Sequence, residues 1–284
     1  MSMTLSSPAG QIHVVDRPGG DPTFVLMHGF PDDHHIYDRV APLLAPRRVV
    51  AFDFFGYGRS GRATSTDEYV VPSEGLTAIV DGLELENVVL VGHDASGPVA
   101  INYALKHPER VRHLVLLDTF FGHAPALRLP EMIRLFADHE LAPLADAIVT
   151  DPVQLLWLLN FSARQFFGTD ELPPDGITVT SILPQFFSDA ETPDALAAIR
   201  AWTGTLFADL DDQDARIASG QLKSLDVPVT MIFGAHDTYL GPDLAPHLAE
   251  QFTKSNIRAV PDASHWPQWD QPEIVARHLL ALPT

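Results

Sequence analysis

The segment around Asp94 constrains this chain more than any other. Val88-Val89-Leu90-Val91 is a continuous aliphatic run, and the amphipathic stretch from Ser96 to His107 stops at Pro108. Between them stand only Gly92-His93-Asp94-Ala95. A strand that passes into a helix through so short a turn brings its two flanks into near contact, so small residues are needed two before and two after the apex. That spacing centres on Asp94, with Gly92 and Ser96 as the small neighbours. Ser96 as the apex would have Asp94 and Pro98 at those positions, which do not suit the turn. A plain helix N-cap would account for Asp94 by itself, but not for the pieces that accompany it.

The rest of the chain alternates in the same way. Phe24–Met27, Val49–Phe52, Val88–Val91 and Leu114–Leu117 are apolar runs, and they end at His28, Asp53, Gly92 and Asp118. Unbroken apolar runs of this length predict strands covered on both faces. Helices are predicted over about Ser73–Leu83 and Ser96–His107, so the order is that of a parallel α/β sheet. The alternation stops from about His123 to Ser224, a Pro-punctuated helical stretch rich in large apolar residues: Phe136, Trp157, Phe161, Phe166, Phe167, Phe186, Phe187, Trp202 and Phe207. It resumes with Val229–Phe233 and Ile257–Val260 and closes with a helix over Pro272–Leu280. The expectation is an α/β core over 1–122 and 225–284 with a mostly parallel sheet, and an inserted helical cap over 123–224.

Composition removes several function classes. Eighteen Lys and Arg against thirty-seven Asp and Glu give a formal charge of −19, which repels nucleic acid and anionic membranes. With no cysteine, disulfides, thiolate metal sites and a Cys nucleophile are excluded together. No apolar stretch is long enough to span a bilayer, and no signal peptide is readable at the N-terminus. The expected setting is the cytoplasm, with a small-molecule substrate as partner, no cofactor and no metal; a homodimer stays open.

Three further pieces join Asp94. His28-Gly29-Phe30-Pro31 follows the first clear strand, and its glycine lets the Phe30 N–H face an oxyanion; the N–H of Ala95 is the partner donor. Phe233-Gly234-Ala235-His236-Asp237 ends a strand in a loop carboxylate, and Ala263-Ser264-His265-Trp266 follows the last strand. His265 is the base, and Asp237 fixes its tautomer and stabilises the imidazolium. Asp53–Ser60 is Gly-rich but lacks the Lys-Ser/Thr ending of a phosphate loop, so it reads as structural.

Across essentially the whole chain this pattern resembles the α/β-hydrolase superfamily, whose members carry nucleophile, acid and His in this order. HGFP, DFFGYGRS, GHD, FGAHD and SHWPQWDQPE resemble the branch holding epoxide hydrolases, haloalkane dehalogenases and fluoroacetate dehalogenases. The resemblance implies an Asp nucleophile, a helical cap and a covalent alkyl ester on Asp94, hydrolysed by water that His265 deprotonates. An Asp apex argues against ordinary ester hydrolysis, since carboxylate attack on an ester gives an anhydride.

The leaving group needs a helper. Epoxide hydrolases of this kind use cap tyrosines, and this sequence has no Tyr between Tyr103 and Tyr239. Haloalkane dehalogenases carry Trp after the nucleophile and fluoroacetate dehalogenases Arg; here the position is Ala95, a departure from both. Trp157 and Trp202 offer indole N–H groups, and His34 and His35, just past the oxyanion loop, offer imidazoles. The Asp32–His35 cluster is not expected to hold a metal, since adjacent residues of one loop seldom converge on one ion. The sequence thus favours a haloalkane dehalogenase-like hydrolase acting on a small organohalide. The alternatives are an epoxide hydrolase without cap tyrosines, a lactone or C–C hydrolase in which Asp94 acts as a base, and a non-enzymatic ligand receptor.

Overall fold

A computed structural model describes residues 1–61, 71–167, 199 and 202–283, without the side chains of 71, 159, 163 and 167. Its centre is an eight-stranded sheet in the order β1-β2-β4-β3-β5-β6-β7-β8. The strands are β1 (Ser2–Ser7), β2 (Gly10–Arg17), β3 (Gly20–Met27), β4 (Arg47–Phe52), β5 (Val88–His93), β6 (Val111–Leu117), β7 (Val229–Gly234) and β8 (Ser255–Val260). β1 with β2 and β2 with β4 pair antiparallel; every other pair is parallel. The apolar runs therefore become the parallel strands, as the sequence predicts.

β1 and β2 are the elements that the search for continuous apolar runs misses. Ser2–Ser7 alternates exposed and half-buried positions. That is the period of an edge strand with one wet face, not of a strand buried twice over. β5 lies at the other extreme: all six of its residues are buried. Truncating Leu90 there to alanine is expected to cost about 2–5 kcal/mol, the range for a cavity in a packed core.

Helices α1 (Val71–Gly82) and α2 (Ser96–Lys106) fall where the sequence puts them, as does the terminal helix Pro272–Leu280. Between β6 and β7 come α3 (Glu131–Ala137), α4 (Ala142–Thr150), α5 (Pro152–Phe167), Leu206–Ala218 and Gln221–Ser224, with no strand among the described residues of this stretch. Phe136 and Phe166 are buried there, whereas Trp157 and Phe207 are exposed. Phe186 and Phe187 lie outside the described residues, as does the side chain of Phe167. Among the described residues, no single helix is long and apolar enough to cross a membrane.

Candidate active site

Asp94 sits at the apex between β5 and α2 with φ of 49°. That left-handed conformation costs most side chains, but Asp tolerates it better than bulky residues do. The turn closes because Gly92 has no side chain: a Cβ there would lie 2.9 Å from the Ser96 carbonyl and 3.0 Å from Gly97 Cα. Ser96 is fully buried and its hydroxyl is a strut. It accepts from the His93 N–H at 2.8 Å and lies within donating distance of the carbonyls of Met27 and His93. The hydroxyl so occupied has no free face for substrate.

The loop after β3 delivers the expected N–H groups, though to a different recipient. Phe30 N–H donates to Oδ2 of Asp94 at 2.9 Å, and the Ala95 N–H also donates to this carboxylate. The two donors expected to face an oxyanion thus already hold the carboxylate of the resting protein. Gly29 permits this approach, since a Cβ on it would lie 2.6 Å from Asp94 Cβ. His28 fixes the loop from behind. Its Nε2 accepts from the Phe54 N–H at 3.0 Å while its Nδ1 donates to the Gly29 carbonyl at 2.7 Å. Burial raises the Asp94 pKa, and the nearby His265 charge and the two N–H donors oppose that rise without cancelling it.

His265 and Asp237 meet as the sequence predicts. His265 Nδ1 lies 2.8 Å from Asp237 Oδ2, and Asp237 Oδ1 accepts from the N–H groups of Tyr239 at 2.8 Å and Leu240 at 3.0 Å. With Nδ1–H given to the carboxylate, Nε2 is left as the basic nitrogen. Burial by itself would lower the His265 pKa, but the charge and hydrogen bond of Asp237, with Asp94 and Asp32 nearby, raise it to about 9. Burial pushes the Asp237 carboxyl up, and the His265 charge and the hydrogen bonds outweigh it, so its pKa is lowered.

Above Asp94 and Ala95 lies a small cavity of about 40 Å³, walled by Phe30, Phe120, Ile133, Phe166, Trp202 and other residues of the β6–β7 insertion. Trp202 packs edge-on to Phe54, ring centroids 5.1 Å apart, and its Nε1 is shielded from solvent without a hydrogen-bond partner among the described residues. A buried N–H without an acceptor is costly.

The other expected helpers are elsewhere. Trp157 is 62% exposed and stacks on Phe161, so it does not line the cavity. Asp33 caps a short 3₁₀ turn, His34–Tyr37, and neither of its histidines lines the cavity. His34 Nδ1 is 2.7 Å from Asp53 Oδ1, and His35 Nδ1 is 2.8 Å from Asp33 Oδ1. His13 Nδ1 meets the other Asp53 oxygen at 3.0 Å, and the backbone N–H groups of His34 and Arg59 donate to the same carboxylate. Arg164 is exposed, and no cationic side chain is among the described residues of the cavity wall.

Two buried carboxyls, Asp118 and Asp32, stand close to the site without a role assigned to them from sequence. Asp118, at the end of β6, accepts from the Gly234 N–H and ties β6 to β7; burial and the neighbouring Asp237 raise its pKa well above the ordinary range. Asp32 lies behind His265, where it accepts from Trp266 Nε1 at 3.0 Å. Its position just past the oxyanion loop was the available signal.

Residues 22–272 match the family described as the alpha/beta hydrolase fold. The chain belongs to that family. Among curated proteins it is 26% identical over 302 residues to bifunctional epoxide hydrolase 2 of Sus scrofa, covering 97% of this chain and 54% of that protein. The chain thus spans about half the length of that relative. It is 27% identical over 293 residues to haloalkane dehalogenase 2 of Mycobacterium tuberculosis, covering 98% of this chain and 93% of the relative. Among solved structures it superposes on the epoxide hydrolase CorEH with a TM-score of 0.76 at 20% identity, covering 99% and 97% of the two chains. It superposes on the haloalkane dehalogenase DatA of Agrobacterium tumefaciens with 0.71 at 22%, covering 99% and 95%. The family match and these likenesses establish the alpha/beta hydrolase fold.

Proposed function

We propose that this hydrolase works through a covalent alkyl ester on Asp94, and that its substrate is a small apolar organohalide. The observation that carries the proposal is that one apolar cavity is lined both by Asp94, whose carboxylate is already held by two backbone N–H groups, and by Trp202, whose indole N–H has no partner among the described residues. An ionised carboxylate needs no base to attack an sp³ carbon. One Asp94 oxygen forms the C–O bond as the C–halogen bond breaks, and halide departs with the electron pair. An N–H of low acidity suits a leaving halide, which needs stabilisation of charge and no proton.

His265 then takes a proton from water, and hydroxide adds to the ester carbonyl. The charge that develops on the carbonyl oxygen is met by donors already in place at Phe30 and Ala95. Collapse releases the alcohol and restores Asp94, and the proton leaves His265 for solvent. On this reading the segment inserted between β6 and β7 is a cap that supplies Trp202 and keeps water from the first step.

Epoxide hydrolysis is the second reading, supported by the names of the pig protein and CorEH. An opening epoxide oxygen needs a proton. The one hydroxyl among the described residues of the cavity wall is that of Thr203, and it donates to the Ile199 carbonyl at 2.9 Å. The absence of a cation in the described wall also disfavours haloacids.

The test is product analysis with short haloalkanes and short epoxides. Halide release that the Asp94→Ala variant abolishes supports the first reading. Diol formation without halide release selects the second.

A further inference from the structure

Behind His265, His93 and Asp32 form a pair whose hydrogen-bond arithmetic does not close with both in their ordinary forms. His93 Nε2 is 2.7 Å from the His265 carbonyl oxygen. A carbonyl only accepts, so Nε2 must carry the proton. If His93 is neutral, Nδ1 is then a bare acceptor. Nδ1 lies 3.6 Å from Asp32 Oδ2, and neither Nδ1 nor Asp32 Oδ1 has a hydrogen-bond partner among the described residues. An ionised Asp32 would set acceptor against acceptor in a site where both residues are almost fully buried, at a spacing too short for an intervening water.

We infer that Asp32 is a neutral carboxylic acid in the resting protein, that its O–H points to Nδ1 of His93, and that the pair positions the backbone of His265.

The alternative is a proton on His93, giving a buried ion pair. The surroundings oppose it. The His93 and His265 ring centroids are 4.9 Å apart, and His265 holds the positive charge that Asp237 stabilises. Burial and that neighbour lower the His93 pKa well below its usual value. The groups that face Asp32 act mainly the other way on its own proton. Burial raises its pKa to about 7; Asp94 and Asp33 add to the rise, while the Trp266 N–H and the His265 charge oppose it. The phenols of Tyr37 and Tyr57 also lie within its field, and burial keeps both neutral. Carboxylic acids kept neutral by an apolar site so that they donate a hydrogen bond are a known device. When Asp32 ionises, His93 faces an acceptor at Nδ1. It must then turn its proton toward Asp32 and abandon the His265 carbonyl, or tolerate the repulsion.

The inference rests on the proposed reaction only for its consequence, namely that His265 is positioned as the base. Its test needs no substrate. The infrared difference spectrum between wild type and the Asp32→Asn variant, recorded at about pH 5, is expected to contain a protonated-carboxyl C=O band. That band should fade on alkaline titration with a midpoint near 7. A difference spectrum with carboxylate bands alone at the acid end overturns the inference. Should the Asn variant fail to fold, the Trp266→Phe variant of ¹³C-aspartate-labelled protein reads the same group. Loss of the indole donor shifts the protonated band if the inference holds, and an unshifted set of protonated bands contradicts it. A positioning role also requires that Asp32→Asn, whose amide donates to Nδ1 at every pH, restore turnover that Asp32→Ala loses and remove the inflection near 7 from the pH profile. Turnover lost about equally in both variants contradicts that role.

Discussion

The Phe30 N–H donates to Oδ2 of Asp94 at 2.9 Å before any substrate is present. The oxygen that becomes the ester carbonyl, and then the oxyanion, thus already lies against its donor. Preorganisation of this kind is where electrostatic catalysis gains most, because no dipole has to turn during reaction. It depends on Gly29. In a Gly29→Ala variant the new Cβ would meet Asp94 Cβ at 2.6 Å and Oδ2 at 2.9 Å, so the loop must retreat. Turnover should fall by about 10²–10³-fold, the range for loss of one oxyanion donor. Steady-state kinetics check this, and near wild-type turnover would show that the cradle is dispensable.

Ser96→Ala separates the two hydroxyl-or-carboxylate readings of the turn. The Ser96 hydroxyl is a buried strut between the His93 backbone and Met27. Its removal should cost about 1–3 kcal/mol, the penalty for buried groups left without a partner, measurable by denaturant unfolding. Covalent modification of Asp94 by substrate should persist in this variant, and its loss would revive Ser96 as a nucleophile.

The pH dependence follows from His265. As a base it must be neutral, and in the resting protein its pKa is raised to about 9. Esterification removes the Asp94 charge, one of the groups that raise it, so the pKa falls in the intermediate. In the Asp32→Asn variant, where no second group titrates behind His265, ester hydrolysis should therefore rise with pH and level off below 9, whereas alkylation needs no neutral imidazole. Single-turnover rates across pH measure this, and a hydrolysis rate flat through neutrality would contradict it. The sign for stability is the opposite. A raised histidine pKa contributes stability in full below the unfolded value of 6.5, and that contribution is lost as pH rises through about 9. The lowered Asp237 pKa contributes above its unfolded value and is lost in acid.

Asp237→Asn keeps the shape of the site but reverses the hydrogen bond to His265 Nδ1. By analogy with serine-protease triads, where this change costs about 10⁴-fold, ester hydrolysis should slow by a comparable factor. Alkylation should be spared, so the intermediate should accumulate. Rapid-quench mass analysis checks the split.

Trp202→Phe removes an N–H that has no partner among the described residues, so folding stability should hold. Alkylation should slow by about 10–150-fold, equivalent to one hydrogen bond to a charged group of ~1.5–3 kcal/mol. Thermal unfolding and burst kinetics together test this. An unchanged burst rate would move the leaving group elsewhere.

The sequence shows its strongest structure where both faces of a strand are buried. The runs in β3, β4, β5 and β6 could be read because each holds at least four consecutive apolar residues that are buried, whereas β8 shows only Ile257, Ala259 and Val260 about an Arg and is largely exposed. β1 could not, since an edge strand with alternate positions exposed looks like any polar segment of six residues. Asp94 was legible because its turn forces small residues at Gly92 and Ser96, and Asp237 and His265 because they follow the Val229–Phe233 and Ile257–Val260 runs in the order nucleophile, acid, His. The leaving-group side was not. His34 and His35 looked available from spacing alone, but Asp53 and Asp33 engage their imidazoles and neither lines the cavity. Of two tryptophans in the same insertion, one lines the cavity and one faces solvent, a distinction that only packing makes.

The central claim is a covalent bond to Asp94. It is tested most directly by intact-protein mass spectrometry of a His265→Gln variant incubated with short haloalkanes and epoxides, followed by peptide mapping. Without its base the second step stalls while the first proceeds, so the account predicts an adduct on Asp94 with the mass of the haloalkane minus hydrogen halide. An adduct of a whole epoxide would keep the nucleophile and change the substrate. Turnover by the wild type with no adduct on Asp94 in the variant would contradict the account.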